Sequence, residues 1–395
     1  MNDTRKKSSI KNIENIKNIK FKTLVNNNLL EKSSPNMKIF TQKNKSFSPS
    51  INKRLSVKSL KSLQPNKVDF CKDLLKLRIN KTKKCFNYKH KKVKKFLLHN
   101  LKATKHLDAK LFIAPKQLLG NCWFNTMFVT FFFSDKGRKF FRFFREFMIK
   151  GEKIDKTKID DEKLAKMFFI LNLYIESSYN QTGTNQNITN QNKKKILYNQ
   201  LLPYLDNLHT NYFIKEIHDT INHNIYNKVP DLDEAGNPIQ FYKTIMSYLN
   251  YDILKLMEIN IEYKENIKHH LKNKFLNYYK IPDIIIFNDF ESKSYYDKYY
   301  NLYQNGIKYT YKLDSIIITN KGHFKPKANS HFVSLLTINN EEYKFDGDSY
   351  SRLTNFKWKQ LINKNKDWYF NENPNYYPEK YNFQYGYKML FYYRS

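Results

Sequence analysis

Glycine and proline are scarce, at 9 and 11 residues in 395. The chain contains no GxGxxG and no GxxxxGK[ST]. Folds that cradle phosphates on glycine-rich loops therefore lose their main sequence support. Cysteine is rarer still: Cys71, Cys85 and Cys122 are all there is. Three cannot build a disulfide framework or a four-cysteine zinc site. The expectation is a reducing compartment in which free thiols persist. The opening residues, Met1 to Lys7, begin no apolar stretch of the kind a secretory signal needs. No apolar run reaches about 18 residues, the shortest that spans a bilayer. The expected protein is soluble and intracellular, not secreted, with no membrane span.

Negative charge is in short supply as well. Asp and Glu number 36 against 70 Lys and Arg, a net charge of +34. The excess is uneven: residues 1–110 hold 30 basic against 6 acidic residues, and the remaining 285 hold 40 against 30. That asymmetry is the mark of a basic tail on a more ordinary domain. Residues 1–66 are rich in Lys, Asn and Ser and almost free of aromatics. They cannot bury enough apolar surface to offset the entropy of ordering, so the expectation is a disordered basic tail. Such a tail is solvated, directs nuclear import, or binds nucleic acid or an acidic partner through residues 1–110. Residues 67–110 read as a basic helical segment of one or two amphipathic helices.

Aromatics are abundant, at 31 Phe and 30 Tyr, so residues 111–395 can build a large core and form the main domain. Its first half reads as helices: the run after Cys122, a Phe-rich stretch from Lys139, residues 158–178, 195–226 and 238–259. Residues 181–195 are polar and of low complexity, an inserted loop. After about residue 280 the period changes to that of strands, at 281–287, 308–319, 331–338, 342–345 and 390–393. Helices followed by strands predict an α+β domain, a helical lobe beside an antiparallel β-sheet lobe.

Two stretches carry chemistry. In the first, Gln117 to Thr126, the lone Cys122 follows Gly120-Asn121 and leads into an apolar run. A cysteine at a helix N-terminus meets the positive end of the dipole, which favours the thiolate. The amide of Gln117, five residues upstream, is a candidate donor to an oxyanion. The plain alternative is a small buried hydrophobe in a core helix. In the second, strands on either side of Asn339-Asn340 form a hairpin whose two-residue loop tolerates positive φ. That register sets His331 opposite Asp348 and diagonal to Asp346, all on one face. Either carboxylate can orient the imidazole. A thiol needs a base to take its proton, and the base needs an acceptor at its far nitrogen. The chain order Cys122, His331, Asp346 or Asp348 suits that arrangement.

The sequence resembles the ubiquitin-specific proteases, a branch of the papain-like cysteine peptidases, over roughly residues 111–360. Cys122-Trp123-Phe124-Asn125-Thr126 is similar to the family's cysteine box. The strand from Tyr311 followed by Ser330-His331-Phe332-Val333 looks like its histidine box. Tyr343-Lys344-Phe345-Asp346-Gly347-Asp348 is similar to its acidic box. The resemblance implies a papain-like fold, Cys122 as nucleophile, His331 as base, Asp346 as its orienter with Asp348 the alternate, and Gln117 in the oxyanion hole. It implies a deubiquitinase that needs no cofactor or metal and takes ubiquitin or a ubiquitin-like protein as substrate. There are departures. The glycine before the thiol stands one place nearer, Val129 replaces a glutamine, Ser330 replaces a glycine, and paired CxxC motifs are absent.

Other readings are kept open. The substrate is a precursor polypeptide of a large DNA virus, which suits the Asn-, Lys-, Ile- and Tyr-rich coding; such a protein works in host cytoplasm, nucleus or virion. The chemistry is acyl transfer to an amine, as in transglutaminases, which share the Cys-His-Asp order. Or the protein is a non-catalytic basic nucleic-acid-binding or virion scaffold protein.

Overall fold

The computed structural model describes residues 69–102 except 72, 74 and 80–83; 107, 109, 112, 114, 115 and 117; 121–178 except 160; 210–221; 238–320 except 252, 253 and 279; 331–347; 353–370; and 379–395. The expected tail (1–66), the polar loop (181–195) and Asp348 lie outside these residues.

The described chain opens with a small antiparallel sheet, β1 (Asp69–Phe70), β2 (Lys76–Arg78) and β3 (Cys85–Asn87). A disulfide joins Cys71 to Cys85 across it. Two expectations are corrected here. Short strands, not helix, stand at Asp69–Phe70, Lys76–Arg78 and Cys85–Asn87, and among the described residues of this segment only α1 (Lys91–Lys102) is a basic amphipathic helix. Its Val93, Phe96, Leu97 and Leu101 are buried while its lysines line the other side. Nor are all three thiols free: spacing could not reveal that two short strands bring Cys71 and Cys85 together, and only Cys122 is free.

The helical layer follows with α2 (Cys122–Phe133), α3 (Gly137–Phe140), α4 (Arg142–Lys150), α5 (Glu162–Ser177), α6 (Thr210–Ile221) and α7 (Pro238–Tyr248). Asp161 caps α5, accepting from the N–H groups of Lys163 and Leu164. All twelve residues of α2 are buried. A helix that is apolar on every side belongs at the centre of a domain, and α2 is the central helix here. A buried polar cluster ties three helices behind it. Arg145 pairs with Glu176 and donates to Asn172, and Asn100 on α1 donates to Glu176.

The second half adds β4 (Leu256–Ile261), α8 (Ile267–Leu276), β5 (Ile284–Asp289), β6 (Tyr299–Gln304), β7 (Ile307–Thr319), β8 (Phe332–Ile338), β9 (Glu341–Phe345), β10 (Leu353–Asn355) and β11 (Lys388–Arg394). They form one sheet in the order β10-β9-β8-β7-β11-β5-β4, with β6 on the free half of β7. The pairing β4–β5 is parallel, so the expected antiparallel sheet is mixed. The expected helix over 238–259 stops at Tyr248, because residues 256–261 alternate in burial and pair with β5.

Both faces of the sheet are covered. Ile284, Ile286, Ile317, Leu336, Phe391 and Tyr393 pack on the helical layer. Their neighbours Ile285, Phe287, Ile316, Leu335, Leu390 and Tyr392 pack in a second core with α8, Trp358, Trp368 and Tyr381. That is why these strands read as unbroken apolar runs. The molecule described is thus a mixed α/β domain with the sheet at its middle.

Candidate active site

Cys122 starts α2, and His331 directly precedes β8, on which α2 packs. Two side chains hold that packing in register. Ser334 Oγ on β8 donates to the Thr126 carbonyl of α2 at 3.0 Å. At the far end, Asp135 follows α2 and its two carboxylate oxygens each accept at 2.9 Å, from the N–H groups of Asn339 and Asn340. Those two asparagines form the β8–β9 turn with φ of 51° and 64°. The hairpin register is the one read from the sequence, with Ser334 opposite Phe345 and Ile338 opposite Glu341.

At the near end the Cys122 sulfur accepts from the Phe332 N–H at 3.3 Å. His331 Nε2 and Asp346 Oδ1 share a hydrogen bond of 2.7 Å. The Cys122 sulfur, held by the Phe332 N–H, also lies within electrostatic reach of the His331 ring. With Nε2 engaged by Asp346, the nitrogen left for the sulfur is Nδ1. Burial alone would push the imidazole down. The hydrogen bonds and negative charge of Asp346 and Cys122 outweigh it, and His331 is pushed up to about 11. The histidine backbone is held too: Asn320 Oδ1, at the end of β7, accepts the His331 N–H at 3.1 Å. Cys122 is 4 % exposed and His331 8 %, so the reacting groups sit in a nearly dry pocket.

Gln117 is buried close by, on a segment anchored to α2 because Asn125 Nδ2 donates to the Pro115 carbonyl at 3.0 Å. Asn125 stands one helical turn beyond Cys122. Gly347 closes the back of this corner. A Cβ there would lie 2.2 Å from Gln117 Oε1 and 3.2 Å from Asn125 Nδ2. A Cβ after Asp346 would push the tip of Gln117 aside, so the acidic loop and the glutamine share one wall.

No family model and no curated protein sequence matches the chain. Among solved structures, it is similar to the chain of one titled "Structure of the SAGA Ubp8/Sgf11/Sus1/Sgf73 DUB module". The TM-score is 0.37 and the identity 10%, over 77% of this chain and 74% of that chain. At that score the likeness carries no weight for activity, which rests on the site's own geometry.

Of the five residues singled out in the sequence, Cys122 and Asp346 each lie beside His331 and Gln117 is beside Gly347; Asp348 is outside the described residues. Asp346 makes the bond although the hairpin register sets it diagonal to His331. The β8–β9 ladder ends at Ser334 and Phe345, and past it the chain is free to turn. Trp123, next to the thiol in the cysteine box, is buried in the helix-side core. Asn125, Asn320, Ser334, Asp135 and Gly347 were not read as site residues. Only Asn125 and Gly347 carried a signal, by lying inside the cysteine and acidic boxes. Among the described residues no three His, Cys, Asp or Glu side chains group so as to hold a metal ion. No described helix is long and apolar enough to cross a membrane.

Proposed function

We infer that the chain is a thiol-dependent hydrolase of peptide or isopeptide bonds, built on a papain-like plan, with a ubiquitin-like C-terminus as its substrate. One observation carries the chemistry: a buried imidazole is hydrogen-bonded to a carboxylate, and the free thiol of Cys122 lies beside it, accepting from the N–H of the residue after the histidine. In this reading His331 takes the proton of Cys122 and Asp346 stabilises the imidazolium. The sulfur attacks the acyl carbon and the carbonyl π electrons move to oxygen. Gln117 and N–H groups at the start of α2 stabilise that oxyanion. His331 returns its proton to the leaving amine as the C–N bond breaks, leaving a thioester. Water, deprotonated by the same imidazole, attacks the thioester and restores the thiol. The ubiquitin-like substrate rests on the motif resemblance at Cys122, His331 and Asp346.

The test is labelling with ubiquitin bearing a thiol-reactive group at its C-terminus, on wild type, Cys122→Ala and His331→Ala. A mass increase of one ubiquitin, absent in Cys122→Ala, supports both chemistry and substrate. Selective modification of Cys122 by a small electrophile without ubiquitin labelling keeps the thiol chemistry and removes ubiquitin. Failure of both removes the hydrolase.

A further inference from the structure

The β6–β7 hairpin extends the sheet beyond the helical layer, and one of its faces is uncovered. Asn305 and Gly306 turn it, with φ of 52° and 75°. Register pairs Tyr299 with Lys312, Asn301 with Thr310 and Tyr303 with Lys308. Directly paired residues share a face, so each tyrosine on this face has a lysine beside it. Tyr300, Leu302 and Tyr311 point the other way into the second core. Both tyrosines are 59 % exposed. That is a large aromatic area to leave in water on a strand whose alternate residues are buried. The two rings are about 13 Å apart, four residues along a strand.

Lysines outnumber acidic residues around them, with Asp297 and Asp314 just beyond the two ends of the segment 298–313. Residues 298–313 contain Lys298, Lys308 and Lys312 and no Asp or Glu. From the adjoining helical layer Lys136 faces Lys312 and Lys139, with Asp135 and Asp314 also in reach. Burial and those two lysines lower its pKa against the weaker pull of the two aspartates. Crowded lysines call for an anion. Open aromatic rings between them call for flat groups to stack on. An acidic protein would satisfy the first demand alone.

We propose that the Tyr299–Tyr303 face of the β6–β7 hairpin, with Lys308, Lys312, Lys136 and Lys139, binds single-stranded nucleic acid, bases on the tyrosines and phosphates on the lysines. None of these residues belongs to the basic segment 1–110 or to the Cys122 site.

The test uses the full-length chain and two fluorescent oligonucleotides of equal length, oligo(dT) and a duplex, read by anisotropy at several salt concentrations. Charge alone binds duplex at least as well as single strand; stacking favours the single strand. Wild type is expected to prefer oligo(dT). Tyr299→Ala/Tyr303→Ala is expected to weaken oligo(dT) binding roughly tenfold or more and to abolish the preference, with duplex binding unchanged. Lys312→Gln is expected to reduce the salt slope by about one. Equal binding of both oligonucleotides by wild type would overturn the proposal, as would undiminished oligo(dT) binding by the tyrosine variant. So would displacement by polyglutamate with no single-strand preference, which would assign the face to an acidic protein.

Discussion

Replacing Gly347 by alanine tests whether Gln117 acts in the reaction. The added Cβ would stand 2.2 Å from Gln117 Oε1, where a carbon needs about 3.5 Å. The obstacle is the tip of a flexible side chain, so the amide swings away by about 1 Å and the fold barely notices. Stability should change by less than about 1 kcal/mol. Catalysis should not be so tolerant. A donor displaced by about 1 Å costs on the order of a hundredfold, similar to losing one oxyanion-hole donor outright. The assay pairs kcat on a ubiquitin C-terminal amide with the alkylation rate of Cys122 by iodoacetamide. Alkylation forms no oxyanion, so it reads the Cys122–His331 pair alone. The expected outcome is kcat down about a hundredfold, alkylation unchanged and thermal midpoint unchanged. The double variant with Gln117→Ala should cost no more than Gln117→Ala alone, because both remove the same contact. Equal losses of kcat and alkylation would refute the reasoning, as would additive losses in the double variant.

Three further outcomes concern stability. Asp314 on β7 is buried, and desolvation pushes its carboxyl up to about 6 despite hydrogen bonds from Ser134 and the Lys136 N–H. The folded state therefore holds the proton more tightly than the unfolded state. Its contribution is complete below about pH 4 and fades as pH rises through about 6. Asp314→Asn should flatten that slope and leave the variant up to about 3 kcal/mol more stable at pH 7, measured by urea unfolding across pH. Glu176→Gln strands the buried Arg145 guanidinium and should cost about 3–5 kcal/mol in the same assay. Reduction of Cys71–Cys85 opens a link of sequence separation 14 and should cost about 3 kcal/mol of stability at most, read as a lower thermal midpoint. An unchanged midpoint in reductant would show that β1–β3 holds without it.

Short-range pattern was enough for part of this protein. The run after Cys122, apolar but for Asn125, Thr126 and Thr130, announces a central helix, because only near-complete burial suits such a surface. The Asn339-Asn340 pair between alternating strands determines register, because both residues accept positive φ and the two-residue loop leaves one way to pair. Chain order and spacing were therefore sufficient to bring out Cys122 and His331, with Asp346 and Asp348 as alternative carboxylates. The strand at 256–261 was hidden, since an apolar stretch becomes strand or helix according to whether a neighbour such as β5 offers hydrogen bonds. The Cys71–Cys85 bond was hidden for the same reason. So was the choice of Asp346, which depends on where the ladder ends, and so was the close approach of Gly347 to Gln117, which exists only because the glutamine, 230 residues earlier, arrives at the same corner. Sequence determines what each segment tends to form on its own. Contacts between distant segments are decided by the packing that satisfies all of them at once, and half of this site is made of such contacts.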